Sequence, residues 1–317
     1  MIGAGSLSIE RYTDHRQAWD DLVRTSKNGV FLFFRDYMEY HADRFADHSL
    51  LFLRGGEPIA VFPANQVEQA LVSHGGLTFG GVVSDARMKA PLMLELFGCL
   101  RDYCKQNGLT HLVYKAIPHI YHRIPAEEDL YALTRYGATL VRRDASSAIL
   151  LAHRLPFRRL RQRQVRQARE QGLAVRKSDD YETFRGIVAE ELGGKRGRSP
   201  VHTVAELRLL AARFPDNIEL FGAYKDDVML GGVLVYAGDV VAHAQYSFAT
   251  PEGRRLGALD LVLDFLIDER YADRRYFDWG ISTADDGRFL DIPLIENKES
   301  FGARTIVHDF YELRFDR

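Results

Sequence analysis

Cysteine is close to missing from this chain: two residues, Cys99 and Cys104, in 317. Positions five apart on a helix do not face each other, so the pair is not read as a disulfide. A chain so poor in cysteine bears no mark of an oxidising compartment. Long apolar runs are missing too. Nothing approaches the ~20 apolar residues of a membrane span, and the opening MIGAGSLSIERYTDH lacks the apolar stretch of a signal peptide. The expectation is a soluble cytoplasmic protein without membrane insertion. Net charge is small as well, −2 from 42 Lys and Arg against 44 Asp and Glu. Such a molecule is not a general polyanion binder, so any anion site must be a local patch. What is present is ordinary core material, 46% hydrophobic, enough for two domains at roughly 150 residues each or one large one.

The apolar pattern organises the chain into two similar halves. Helices are expected at Asp14–Ser26, with Thr13 as cap, and at Arg35–Phe45. SLLFLRGGEPIAVFPANQV reads as a hairpin about a Gly-Gly turn. The glycine-rich SHGGLTFGGVV follows, then the helix MKAPLMLELFGCLRDYCKQNG, stopped by Gly108, and the strand LTHLVYKAIP. The second half repeats this order. NIELFGAYKDDVMLGGVLVYAG is strand, turn and strand, and DVVAHAQYSFAT a third strand. A glycine-bearing loop at Glu252–Gly257, a helix over Ala258–Tyr271 and the strand RRYFDWGIS complete it. A repeated pattern of this kind predicts two tandem α/β units with mixed sheets, residues 1–152 and 153–317.

The second unit opens with HRLPFRRLRQRQVRQAREQGLAV, an arginine-rich helix over 154–171. Arg154, Arg158, Arg159, Arg161, Arg163, Arg166 and Arg169 fall there without an intervening acid. The run is either a solvated linker helix or an electropositive wall beside a polyphosphate or nucleic acid. EGRRLGALDLVLDFLI places glycine and arginine at a helix start. Unpaired N–H groups and the macrodipole make such a start an anion site. The i, i+3, i+4, i+7 stripe Leu259, Val262, Leu263 and Leu266 would pin that helix to a sheet.

This stretch resembles the pyrophosphate loop of GNAT acyltransferases, Gln/Arg-x-x-Gly-x-Gly/Ala. Arg254 and Gly257 fill the first two fixed positions and Leu259 stands in the last. With the tandem repeat and the arginine helix, PVHTVAEL, YSFATPEGRRLGALDLVLDFLI, YFDWGIST and LIENKESFGART resemble the FemAB-like and BioF2-like acyltransferases of bacterial surface-polysaccharide clusters. The resemblance implies two tandem GNAT-like domains. It implies transfer of an acyl or aminoacyl group to an amine or hydroxyl of an amino sugar, nucleotide sugar or amino acid, in cell-envelope polysaccharide biosynthesis. The donor it implies is acyl-CoA (acetyl-CoA), with an acyl carrier protein or aminoacyl-tRNA as other carriers. A non-catalytic binding module and a monomer or homodimer remain open.

In a GNAT fold two adjacent parallel strands splay, and the donor thioester lies in the gap; here these are Val240–Phe248 and Arg275–Ile281. Alternation puts His243, Gln245 and Ser247 on one face. Asp278 is the candidate base, His243 the second candidate and Gln245 an orienting group. The alternative readings are an ion pair of Asp278 with Arg274, Arg275 or Arg304 and a satisfied core histidine at His243. Donor binding is assigned to Arg254, Arg255, Leu256, Gly257, Ala258 and Ser247. Acceptor binding is assigned to Lys195, Arg198 and His202 on ELGGKRGRSPVHT, to Tyr114 and Lys115 ending a first-unit strand, and to Lys298, which a helix dipole also explains. Thr203 and Glu206 fit a capping box. His119 and His122 lack completing ligands, so no metal is expected. SHGGLTFGG has no adjacent arginine, so one donor site is expected, in the second half, with the first domain helping to bind the acceptor.

Overall fold

The computed structural model describes residues 5–196 and 201–315, side chains of 192–196 excepted. The chain forms two compact units. One takes the chain up to Asp144, with Asp285–Gly287 and the chain from Val307; the other takes Ala145–Ala284 and Arg288–Ile306. The C-terminal strand Arg304–Arg314 runs antiparallel to His111–Lys115, Phe310 opposite Lys115. This pairing places the chain from Val307 with the first unit.

In the first unit Leu7–Arg11, Leu50–Arg54, Glu57–Phe62 and Val83–Ser84 form an antiparallel sheet. Helix Ala90–Gln106 buries Leu96, Phe97 and Leu100 in a core shared with Leu50, Phe52 and Phe62. Ala70–Val72 and His111–Lys115 pair in parallel. The first helix is Arg16–Thr25, entered through His15 rather than capped by Thr13. The helix expected over Arg35–Phe45 contracts to Arg35–Met38 and a 3-10 turn, Glu39–His41. There His41 Nδ1 sits 2.8 Å from the Met38 carbonyl and its ring stacks on His74, contacts that compete with the helical ladder.

In the second unit Ala174–Ser178, Ile218–Lys225, Val228–Ala237 and Val241–Ala249 are joined antiparallel, and Tyr276–Ile281 adds in parallel to the last. One sheet face carries helix Tyr181–Arg196, whose Phe184 lies over Gly232. The other face packs Val233, Val235, Ala242 and Ala244 against helices Arg159–Glu170 and Ala258–Phe265. The box Thr203/Glu206 caps Val204–Arg213 as expected. The arginine helix is not a uniform positive wall. Asp260, Asp264 and Asp268 recur at i, i+4 and i+8 on the neighbouring helix and its continuation. They take Arg161 (3.0 Å), Arg169 (2.7 Å) and Arg154. Burial pushes the Asp260 carboxyl up and Arg161 pulls it back.

The expected loop at Glu252–Gly257 is instead a helical turn, Pro251–Leu256. Thr250 accepts the Gly253 N–H and Pro251 sits at the first position, both strong helix starters. Gly257, at φ +77°, breaks the turn from the next helix. That helix runs Ala258–Phe265 and gives way to a π-type turn, Leu266–Arg270, short of the expected Tyr271. A Cβ on Gly257 would lie 2.5 Å from the Gln164 carbonyl oxygen of the arginine helix. Both a left-handed dihedral and a backbone contact therefore require glycine here. Gly257→Ala should lower unfolding stability by roughly 2–4 kcal/mol, read from denaturant midpoints. An unchanged midpoint would show that the two helices separate freely at this point.

Candidate active site

The site is built where two parallel strands part. Val241–Ala249 and Tyr276–Ile281 share three rungs: Val241 with Tyr276, Ala242 with Phe277, His243 with Asp278. Past the third rung the ladder ends, the splayed pair anticipated for this fold. The last rung carries the chemistry. His243 Nδ1 lies 2.6 Å from Asp278 Oδ2. An ionised carboxylate only accepts, so Nδ1 bears a proton, and the tautomer this selects places the imidazole lone pair on Nε2. Asp278 is wholly buried. Its Oδ1 takes Ser146 Oγ (2.9 Å) and the Gly280 N–H (3.2 Å). So enclosed, Asp278 is positioned to orient the imidazole, and of the two candidate bases half-buried His243 is the more accessible.

Two irregularities shape this rung. Val235 faces Ala244 and Leu234 faces Tyr246, so Gln245 is the extra residue of a β-bulge. The bulge shifts the alternation. His243 now shares its face with Tyr246, whereas Ser247, opposite Val233, lies on the other face with Ala244. The expected trio His243, Gln245 and Ser247 is therefore not assembled. Second, Gly280 takes φ +73°, and a Cβ there would sit 3.1 Å from His243 Cε1. Lys298, on helix Ile292–Glu299, is buried and donates to the Gly280 (2.7 Å) and Ile281 (2.9 Å) carbonyls. Expected in acceptor binding, it is placed to hold the bend that frames His243. His202 is buried beside the same face, its Nδ1 2.9 Å from Tyr246 Oη. Arg198 lies outside the described residues, as does the side chain of Lys195. Sequence reading missed Ser146, Gly280 and Tyr246. Gly280 had a signal, a glycine inside a strand pattern. Ser146, 132 residues from its partner, had none.

The donor-loop residues divide. Leu256 is core, Ala258 is buried and Gly257 is required by packing. Arg254 is committed to Glu191 and the Ala249 carbonyl. Arg255 is exposed, with Glu252 3.7 Å away. The first N–H groups of Ala258–Phe265 precede its internal ladder, and Arg255 is an exposed cation beside this helix start. Leu259 takes the place of the small residue that would admit a closer approach. Among the described residues no group of three or more His, Cys, Asp and Glu is placed to hold a metal ion. None of the described helices is long and apolar enough to cross a membrane.

The first unit repeats the parallel rungs without the chemistry. Its third rung, after Ala70/His111 and Leu71/Leu112, is Val72 with Val113. Beyond it Ser73 Oγ accepts the Lys115 N–H and the Lys115 carbonyl accepts the Gly80 N–H, which stitches the strands where the second unit's part. Tyr114 is fully buried, donating to Asp129 and accepting from the Val82 N–H, so its hydroxyl is not presented to an acceptor. Lys115 is also buried and donates to the His74 and Leu77 carbonyls.

With this geometry in place, comparison defines the class. Residues 157–287 match the family model described as an acetyltransferase (GNAT) domain. No curated protein matches the chain by sequence. Among solved structures, FemX is similar over 96% of this chain and 97% of its own, with 13% identity and a TM-score of 0.66. L-PGS from Bacillus licheniformis is similar over 86% and 84%, with 11% identity and a TM-score of 0.54. A tandem GNAT protein from the clavulanic acid biosynthesis pathway covers 98% and 99%, with 12% identity and a TM-score of 0.50. The chain has a FemAB-like tandem GNAT fold, and the stretch that matches the GNAT domain model lies almost wholly in the second unit.

Lys115 has a measurable consequence. Burial, with a smaller push from Arg142, lowers its pKa from 10.5 to about 7. Between these values the unfolded chain binds the extra proton, so this group makes stability rise with pH from about 7 to about 10.5, by up to ~1.4 kcal/mol per pH unit. Lys115→Met should flatten that slope in denaturant titrations across the window. A slope identical to wild type would remove Lys115 as its source.

Proposed function

We propose that the second unit transfers an acyl or aminoacyl group from an activated carrier to an amine or hydroxyl, with His243 as general base. The observation that carries this reading is the His243–Asp278 pair on the last shared rung of the splayed strands. The donor supplies a thioester or ester carbonyl. His243 Nε2 takes the proton of the attacking nitrogen or oxygen, buried Asp278 stabilises the imidazolium that forms, and the imidazolium returns that proton to the carrier's thiolate or alkoxide as its bond to the carbonyl carbon breaks. Gln245, outside the antiparallel register, leaves backbone at the strand gap suited to receive the carbonyl oxyanion. Lys298 and Gly280 keep the ring in place. Arg255 and the start of Ala258–Phe265 hold a phosphate of the donor.

The acceptors that fit the sequence resemblance are amino sugars, nucleotide sugars and amino acids, in cell-envelope polysaccharide biosynthesis. For the donor, acyl-CoA is the first reading. Leu259 in the small-residue position and Arg254 turned to Glu191 favour, as the second, a donor gripped elsewhere as well: an acyl carrier protein or an aminoacyl-tRNA.

Thermal melts with acetyl-CoA, longer acyl-CoAs and free CoA separate the donors, since a ligand at a hundred times its Kd stabilises by about 2.7 kcal/mol. Carrier release with an acceptor panel then tests the base. His243→Ala should cut turnover by roughly 10²–10⁴-fold and Asp278→Asn should also lower it, with donor binding retained. Arg255→Glu should weaken donor binding instead. Full turnover in His243→Ala would sink the assignment.

A further inference from the structure

The arginine helix Arg159–Glu170 has two basic faces with different fates. Its inner face is neutralised, as Asp260 and Asp264 hold Arg161 and Arg169, and Asp268 holds Arg154 just ahead of the helix. Val165 and Ala168, also on that face, are buried in the unit's core. The outer face is different. Arg159, Arg163 and Arg166 stand at i, i+4 and i+7, a single stripe along the helix, and all three are exposed, as is Arg158 just before them. Among the described residues no carboxylate pairs with any of the four; Glu170, at the stripe's end, is exposed. Two leucines accompany the stripe in water: Leu155 at 42% and Leu160 at 52% exposure. Of the seven arginines counted in the sequence, three are thus paired with aspartates, and the other four stand exposed without such a partner among the described residues.

We infer that this face docks the protein peripherally on an anionic lipid surface, the helix lying in the plane of the headgroups. Four clustered arginines on a helix suit a negatively charged leaflet. Exposed leucines beside them supply the shallow apolar contact of an interfacial helix. A single-stranded nucleic acid would instead call for aromatic stacking platforms, and the helix has no aromatic residue. The chain as a whole carries −2, so attraction to an anionic surface has to come from a local patch, and a stripe on one helix face would orient the docked unit. The inner aspartate pairs and the Gly257 contact hold the helix rigidly, so docking requires no folding. The inference concerns binding alone and stands or falls apart from His243.

The test is co-sedimentation of the full chain with phosphatidylcholine vesicles and with vesicles containing phosphatidylglycerol. Binding should require the anionic lipid and weaken as salt rises. Each arginine near such a surface is worth about fivefold in partitioning. Arg159→Gln/Arg163→Gln/Arg166→Gln should therefore lower binding about a hundredfold, with an unchanged melt, while the matching triple lysine variant retains it. Leu155→Ser/Leu160→Ser should weaken it further. Equal binding to neutral vesicles, or a triple glutamine variant that binds like wild type, would overturn the inference. So would arginine-dependent binding to transfer RNA with none to vesicles.

Discussion

A carboxylate with no exposed surface organises the second unit. Asp278 cannot reach water, so its charge must be answered from within the protein. Ser146, the Gly280 amide and His243 supply that answer. Each requirement propagates. The Gly280 amide points inward because the strand bends at positive φ, which only glycine adopts readily, and Lys298 holds the bend by its carbonyls. His243 is fixed because its partner cannot move. The geometry of the site follows from stabilising one buried charge.

The two units show what a GNAT-like scaffold does with and without that charge. Both make three parallel rungs and then reach a point where the strands can part. In the first unit the third rung is Val72 with Val113, and Ser73, Lys115 and Gly80 stitch the opening shut. In the second it is His243 with Asp278, and a bulge at Gln245 turns the strand aside. The same backbone arrangement serves as packing in one and as a candidate site in the other, which is why function has to be read from residues on a fold rather than from the fold.

The GRRLGA stretch is also a structural joint. GRRLGA lies where a helical turn ends, a second helix begins and the arginine helix crosses, with Gly257 touching the Gln164 carbonyl. Its glycine is needed for contact between backbones, and Arg254 is used internally. The arginine helix, read from sequence as one positive run, is divided by its neighbour's aspartates into a structural face and an outward face.

Local pattern determined much. Hairpins, the capping box at Thr203 and Glu206, the apolar stripe Val262, Leu263 and Leu266, and the repeated order of elements follow from residue spacing, because helix and strand periodicities are properties of short segments. His243 and Asp278 were legible as polar residues on strands flanked by apolar neighbours. Which of the two is sealed from water was not, because that is decided by Ser146, from a strand distant in sequence, and by the Gly280 bend. Nor could alternation reveal the bulge that separates Ser247 from His243, since a bulge is a property of two strands in register. The burial of Tyr114 and Lys115, and the pairing of Asp260, Asp264 and Asp268 with three arginines, were decided by tertiary packing alone: a charge's fate depends on what lies opposite it, and spacing along one chain segment does not contain that.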